Sequence, residues 1–133
     1  MSTHLGLRER VFDGSLNIFD SEKIRWVRGG VTLAESTVPA VDNRKVLKIG
    51  TPLGKITSGP DAGKYGPYDK DATDGRQTAV LMLGQDVDFS LGEGLGFGDQ
   101  VATAFDWARV IEARLPVEVT AELKEQLPNI TFV

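Results

Sequence analysis

Apolar and polar positions along the chain predict a succession of short β-strands separated by Gly- and Pro-containing turns. The clearest strand covers residues 78–89, where apolar residues first occupy both faces and then alternate with Asp86 and Asp88. This pattern indicates a strand that is buried at one end and reaches solvent at the other. Further strands are predicted at residues 24–33, 46–49, 53–56, 64–68 and 130–133.

Two segments depart from the strand pattern. Residues 120–127 match a short helix, which Thr120 can cap and Pro128 ends. Residues 99–111 fit either a strand or, from Asp106 onward, a capped amphipathic helix. Loops are predicted at residues 34–43, 57–76 and 90–98.

Residues 1–22 mix charged and polar residues with isolated large apolar ones, and glycines interrupt any helix of useful length. Such a segment is expected to stay mobile unless something ties it down, yet its apolar side chains are costly to leave in water. We interpret it as an extended arm ahead of a β-rich domain formed by residues 23–133. A partner surface receives its apolar side chains, or they pack as an edge strand on their own domain. These side chains are Val11, Phe12, Leu16, Ile18 and Phe19.

Composition narrows the class of protein. The chain of 133 residues has room for one ordinary domain, with 41% hydrophobic and 26% charged residues. A net charge of -4 argues against a nucleic-acid partner, since phosphate neutralisation needs clustered Lys and Arg. We expect neither secretion nor membrane insertion, because no apolar run has the required length. The absence of Cys excludes disulfides and fits assembly in a reducing cytoplasm.

The sequence contains few candidate catalytic, cofactor-binding or metal-binding residues. The single His, His4, lies in the arm, so a triad or a His-based zinc site within the domain is not expected. The glycines of residues 92–98 lack the spacing of a phosphate-binding loop, and the Asp-rich residues 69–80 lack the closing Glu of a calcium loop. We therefore expect no catalytic residue, no cofactor and no metal, and a protein that is not an enzyme. Carboxylates that pair only in the fold keep a hydrolase or lyase as an alternative.

Three strings carry a family resemblance: LGKIT at residues 53–57, KYGPYD at 64–69 and DATDGRQTAVLMLGQDVD at 71–88. In this order and spacing they resemble the head decoration proteins of lambda-like tailed phages. The resemblance extends over roughly residues 24–133 and is weaker after residue 88. It implies a mainly β (α+β) fold, a compact β-barrel-like or β-tulip domain with one short C-terminal helix and an extended N-terminal arm. It also favours a strand in residues 99–111.

The resemblance further implies a structural role. Family members bind as homotrimers at threefold sites on the outside of the expanded head and stabilise it, and the arm adds a strand to the major capsid (coat) protein. The expected location is the capsid exterior of the virion, after assembly in the bacterial host cytoplasm. For the trimer interface we expect aromatic residues that are exposed near loops: Phe97, Phe105 and Trp107.

The same sequence is also compatible with a second function. A small β-barrel adaptor or binding module would engage its partner through the loops at residues 57–76 and 90–98. One departure from the family also bears on docking, because residues 34–45 look longer than the usual link into the LGKIT segment.

Overall fold

In the computed structural model, which describes residues 18–133, ten short strands and one helix follow one another along the chain. The strands are β1 (Arg25–Trp26), β2 (Val31–Leu33), β3 (Val46–Leu47), β4 (Pro52–Lys55), β5 (Tyr65–Pro67), β6 (Ala79–Leu83), β7 (Val87–Asp88), β8 (Gln100–Ala102), β9 (Ala104–Val110) and β10 (Ile130–Phe132). The helix α1 is Ala121–Gln126, and 3-10 turns occur at Glu35–Thr37 and Glu112–Arg114.

Eight of the strands form one curled sheet. Its order is β1-β9-β6-β4-β5-β2-β8, with β10 lying parallel to β9, while β3 and β7 pair separately. Thr103 alone separates β8 from β9, although these strands stand far apart in that order. The sheet must therefore curl back on itself, which gives a half-barrel. The mainly β fold with one short helix confirms the predicted fold class.

A bulge in β9 decides which of its residues are buried. Arg25 and Trp26 are adjacent in β1, yet their partners in β9 are Trp107 and Phe105. Asp106 is therefore an extra residue, and it shifts the alternation of the strand by one position. Trp107 stays 44% exposed for this reason. The β9 residues that enter the core on the same side are Phe105, Ala108 and Val110.

Two hydrophobic clusters lie on the two sides of β6. Leu81 and Leu83 enter the first cluster with residues from β2, β4, β8 and β9. Met82, between them in sequence, enters the second cluster, as strand alternation requires. Leu123 and Leu127 of the α1 region complete the second cluster. The central strand thus contributes buried residues to both clusters, while Val80 near its start is 41% exposed.

Most predicted elements are confirmed, with two corrections. The strand predicted at residues 24–33 is divided into β1 and β2, because Gly29 and Gly30 both adopt positive φ in a turn. The strand predicted at residues 78–89 is divided into β6 and β7. Residues 104–110 are a strand, so the helical alternative for this segment is wrong.

The short helix begins and ends as its sequence predicts. The side chain of Thr120 accepts a hydrogen bond of 3.2 Å from the backbone N–H of Leu123. Leu123 is buried against the sheet, and Leu127 is the C-terminal cap. The side chain of Gln126 extends this contact, because its Oε1 accepts a 2.7 Å hydrogen bond from the backbone N–H of Ala79 in β6.

Candidate functional site

The expected arm residues fall into two groups. Val11, Phe12 and Leu16 lie outside the described residues. Ile18 is only 2% exposed and belongs to the second cluster, and its carbonyl accepts a 2.7 Å hydrogen bond from the N–H of Ile111. Ile18 is thus a core residue of its own domain. The expectation that it is available to a partner is corrected by this burial.

Phe19 also belongs to the edge of the sheet, as the edge-strand alternative predicts. It forms an antiparallel bridge with Val110 of β9, and the next residue, Asp20, donates its N–H to the carbonyl of Arg109 at 2.9 Å. The side chains of Asp20 and Arg109 form an ion pair of 2.6 Å. Residues 18–20 therefore run beside β9, in line with β1. We define these residues together with β1 as the arm root.

Three aromatic rings hold the arm root. The ring centroid of Phe19 lies 6.1 Å from Trp26 and 5.1 Å from Phe105, and Trp26 lies 5.8 Å from Phe105. All three pairs are edge-to-face, an arrangement that contributes about 0.5–1.5 kcal/mol per pair beyond surface burial. Phe105 is fully buried, whereas Trp26 is 45% exposed. The cluster therefore reaches from the core to the surface beside Phe19.

This geometry corrects the expected exposure of one residue that was named for the trimer interface. Phe105 is 0% exposed, so the expectation that it lies on the surface near a loop is wrong. The reason is its place in the sheet, because Phe105 lies opposite Met82 of β6 and packs in the second cluster with Ala108 and Val110. Trp107, one position beyond the bulge, faces outward opposite Arg25.

Gly84 supplies the space for Trp26. A Cβ at this position would overlap the indole ring and come within 3.0 Å of the Thr103 hydroxyl. The backbone N–H of Gly84 donates to the carbonyl of Thr103 at 2.8 Å. The turn after β6 and the junction between β8 and β9 thus form one wall of the Trp26 site. The local sequence around Gly84 does not indicate that glycine is required there, because Trp26 is far away along the chain.

The surface beside the arm root is concave. A depression of about 390 Å³ is lined by residues 19–22 and Ile24. Arg25, the residue after Ile24, forms an ion pair of 2.7 Å with Asp106.

Phe97 lies in a different part of the fold. It is partly buried against the first cluster, and the ammonium of Lys45 lies 5.1 Å from its ring centroid. Lys45 also pairs with Glu35 at 2.6 Å. Phe97 bridges to Ser90, so the loop at residues 90–98 is closed at its base. Leu91 and Leu95 in this loop are 51% and 69% exposed.

The loop at residues 57–76 is tied to the rest of the domain by charge. The ammonium of Lys64 lies 2.7 Å from the Asp99 carboxylate and 3.0 Å from that of Asp61. Hydrogen bonding from Lys64 lowers the pKa of Asp99, and hydrogen bonds from the Ser36 hydroxyl and then from Lys64 lower the pKa of Asp61. Asp99 also accepts a 2.9 Å hydrogen bond from the backbone N–H of Glu35.

The three sequence strings of the family resemblance meet at one place. Gly54 of β4 pairs directly with Gly66 of β5. A Cβ on Gly54 would lie 2.6 Å from the Cα of Arg76, and one on Gly66 would lie 2.8 Å from the Cδ of Arg76. Gly75 has φ +115° and leaves no room for a side chain beside the carbonyl of Lys55. Arg76 therefore crosses over a pair of glycines, which explains these residue types at these positions.

Acidic residues that resemble metal ligands have local structural partners. The Asp69 carboxylate accepts a 3.0 Å hydrogen bond from the N–H of Asp71, and that of Asp86 accepts one of 2.7 Å from the N–H of Ile49. Among residues 18–133, no three or more His, Cys, Asp or Glu side chains are placed to hold a metal ion. With six residues, α1 is far shorter than a bilayer span, and none of the described helices has the length and hydropathy of one.

Comparisons with known proteins support a structural assignment. The family described as bacteriophage lambda head decoration protein D matches residues 14–96, which is more than half of the chain. Among curated proteins and among solved structures, nothing matches significantly. The matched region contains the arm root, the glycine crossing beneath Arg76 and all three strings of the resemblance, so that resemblance is confirmed. The chain therefore belongs to the bacteriophage lambda head decoration protein D family.

Proposed function

We propose that this protein binds as a homotrimer at threefold sites on the outside of the expanded phage head and stabilises it. The observation that carries the proposal is the family match over residues 14–96, because this family is structural and decorates phage heads. The proposed partners are the major capsid (coat) protein and two further copies of this chain. In this proposal, assembly takes place in the bacterial host cytoplasm, and the protein is then located on the exterior of the virion capsid.

The arm provides the proposed contact with the coat protein. Residues 18–20 and β1 lie at an edge of the curled sheet, so the chain before Ile18 starts from that edge. An extended segment of 17 residues reaches at most about 61 Å, at up to about 3.6 Å per residue. It can add a strand to an unpaired coat-protein edge, and alternate side chains then fill neighbouring pockets. The apolar side chains that we propose for these pockets are Val11, Phe12 and Leu16.

The arm boundary follows from burial. Ile18 is a core residue and Phe19 is part of the aromatic cluster, so we place the end of the docking segment at residue 17. Removal of residues 1–22 would strip Ile18 from the second cluster and damage the domain itself. Removal of residues 1–17 separates docking from folding.

Two aromatic residues are proposed for the trimer. A closed threefold ring uses a heterologous interface, in which two different patches of the same chain meet. Trp107 on β9 and Phe97 in the loop at residues 90–98 lie in different parts of the fold, so they suit the two sides of such an interface. Trp107→Ala is expected to shift the trimer toward monomer in light scattering. A trimer of undiminished stability would remove Trp107 from the interface.

Stabilisation of the shell follows from mass action. A protein that binds the expanded lattice and not the dissociated subunits shifts the equilibrium toward intact shells. Three linked arms raise the effective concentration of each contact, so a weak single contact suffices.

The proposal is tested with full-length protein and with a variant that lacks residues 1–17. Light scattering gives the oligomeric state of each, and sedimentation with undecorated expanded capsids gives binding. We expect both proteins to be trimers and only the full-length protein to bind. A full-length chain that stays monomeric and does not sediment with capsids would contradict the proposal.

The alternative of a loop-based binding module has one observation in its favour. Leu91 and Leu95 expose more than half of their surface in the loop at residues 90–98. If the variant lacking residues 1–17 still binds capsids or another partner, and Leu95→Asp abolishes that binding, the loop and not the arm is the recognition element.

A further inference from the structure

We propose that Trp26 is a positioning residue for the arm. Its ring holds Phe19 in place and so fixes the direction in which residues 1–17 leave the domain. This inference rests on the proposed function, because it assumes that the arm docks on the capsid. It assigns to Trp26 an effect on capsid binding that does not require Trp26 to touch the coat protein.

The backbone alone fastens the arm root only in part. Residues 18–20 are hydrogen-bonded to β9 through Ile111 and Arg109, and β1 is paired with β9 further along. Between them, residues 21–24 form no backbone hydrogen bond with any other part of the described chain. The two ends of this unpaired link are joined instead by the edge-to-face contact between Phe19 and Trp26, at 6.1 Å.

The position of Trp26 is itself well determined. The backbone of β1 is paired with β9, and the neighbouring Val27 donates its N–H to the carbonyl of Ala104 at 2.8 Å. The indole packs against the fully buried ring of Phe105 and against the bare backbone of Gly84. The backbone of β1, Phe105 and Gly84 thus restrain the indole ring, and the ring in turn restrains Phe19.

The exposure of Trp26 separates this role from core packing. The side chain is 45% exposed, while Phe105 beneath it is fully buried. Its removal uncovers part of Phe105 and leaves Phe19 with one ring contact in place of two. The domain keeps both hydrophobic clusters, because Trp26 belongs to neither. The main loss is therefore in the placement of the arm root.

Phe132 offers a matched control. Val110 of β9 has Phe19 on one side and Phe132 of β10 on the other. Phe132 is partly buried against the same second cluster as Phe19. The replacement Phe132→Ala therefore removes an aromatic ring beside the same strand, but leaves the Phe19, Trp26 and Phe105 contacts intact.

The test compares capsid binding by full-length Trp26→Ala, Trp26→Phe and Phe132→Ala. We expect Trp26→Ala to remain trimeric and to bind expanded capsids at least about tenfold more weakly, which corresponds to about 1.4 kcal/mol. Trp26→Phe keeps an edge-to-face ring and is expected to restore most of the affinity. Phe132→Ala is expected to lower the melting temperature and to bind as wild type.

A second readout measures the position of the arm root directly. The chain has no Cys, so Glu22→Cys, at an exposed position in the unpaired link, accepts a single spin label. In free protein, the label is expected to become more mobile with Trp26→Ala and to stay unchanged with Trp26→Phe and Phe132→Ala. Equal label mobility in Trp26→Ala and wild type would overturn the inference.

The outcomes distinguish this inference from the proposed function. If full-length wild type does not bind capsids, the proposed function fails. If wild type binds, the variant lacking residues 1–17 does not, and Trp26→Ala binds as wild type, the positioning role fails alone. Should Trp26→Ala not fold, Gly84→Ala keeps the indole but displaces it, and is expected to weaken binding in the same way. A folded Gly84→Ala with wild-type binding and label mobility would overturn the inference.

Discussion

The indole ring of Trp26 occupies the space that any side chain at position 84 would need. Gly84 does not adopt the left-handed backbone conformation, so its requirement is for the absence of a side chain and not for an unusual φ. This relationship links the first strand of the sheet to the turn after its central strand. It makes Gly84 a determinant of how Trp26, and through it Phe19, sits on the domain.

Gly84→Ala is therefore expected to move the indole and to destabilise the domain by roughly 1–3 kcal/mol through overpacking. Urea denaturation measures the loss, and the near-ultraviolet circular dichroism of Trp reports the displacement. Gly59→Ala is the control, because Gly59 has φ +85° with open space around it. That variant should lose roughly 1–2 kcal/mol from backbone strain while its Trp signal stays that of wild type. An unchanged Trp signal in Gly84→Ala would contradict the steric account.

Phe105→Ala tests the corrected placement of this residue in the core. Because the ring is fully buried, we expect a loss of about 3–5 kcal/mol in the free energy of unfolding. The folded fraction should remain trimeric. Trp107→Ala, at a 44% exposed position on the same strand, should lose much less stability. If Phe105→Ala is as stable as wild type but does not form a trimer, Phe105 contributes to the trimer interface and not to the core.

The bulge in β9 predicts that both substitution and deletion of Asp106 are tolerated. Asp106→Ala removes only an exposed ion pair with Arg25, so its free energy of unfolding should stay close to that of wild type. Deletion of Asp106 removes the extra residue and leaves Trp107 directly after Phe105. Regular alternation then keeps Trp107 outward and Ala108 and Val110 inward, so this variant should fold as well. Circular dichroism and amide dispersion in NMR spectra measure both. A deletion variant that does not fold would show that the sheet requires the bulge itself.

The helix cap predicts a smaller effect. Thr120→Ala leaves the backbone N–H of Leu123 without its side-chain acceptor and should cost about 1 kcal/mol of stability. Thr120→Ser keeps an acceptor and should retain most of that stability. The comparison is made by thermal or urea denaturation of both variants, and equal stability of Thr120→Ala and wild type would refute the cap.

Asp99 and Asp61 predict a loss of stability in acid. Both pKa values are lowered in the folded state, so their contribution is complete above the unfolded-state value of about 3.9 and is lost as the pH falls through the lower folded-state values. Asp99→Asn should therefore be less stable than wild type at pH 7, and the difference should shrink below about pH 4. Melting temperatures over this range provide the test. A difference that is independent of pH would mean that the ion pairs with Lys64 do not stabilise the fold.

Local signals in the sequence predicted most elements correctly. Thr120 and Pro128 bound a helix whose partner groups lie within a few residues. Gly54 and Gly66 belong to the sequence strings that carry the family resemblance. The sequence does not explain why glycine is required there, because Arg76 crosses over these residues only in the folded domain.

The features that could not be predicted from the sequence depend on contacts between residues that are far apart along the chain. Phe105 was expected on the surface because it is an aromatic residue near a loop, whereas its burial depends on pairing with β6 and on packing in the second cluster. The boundary of the arm was uncertain for the same reason. Ile18 and Phe19 look no different from the apolar residues before them, and only their pairing with β9, about 90 residues away, places them in the domain.

The position of β9 in the sheet has a consequence for the order of events during synthesis. Its flanks are occupied by residues 18–20 and β1 from the start of the described chain, by β6 from the middle and by β10 from the end. Contacts of such long sequence separation form slowly, because loop closure must precede them. The arm root cannot find its partner until β9 has been translated, and the opposite flank of β9 stays open until Ile130–Phe132 has left the ribosome. Completion of the domain therefore waits until β10 has been synthesised, and the arm root pairs only after β9 has emerged.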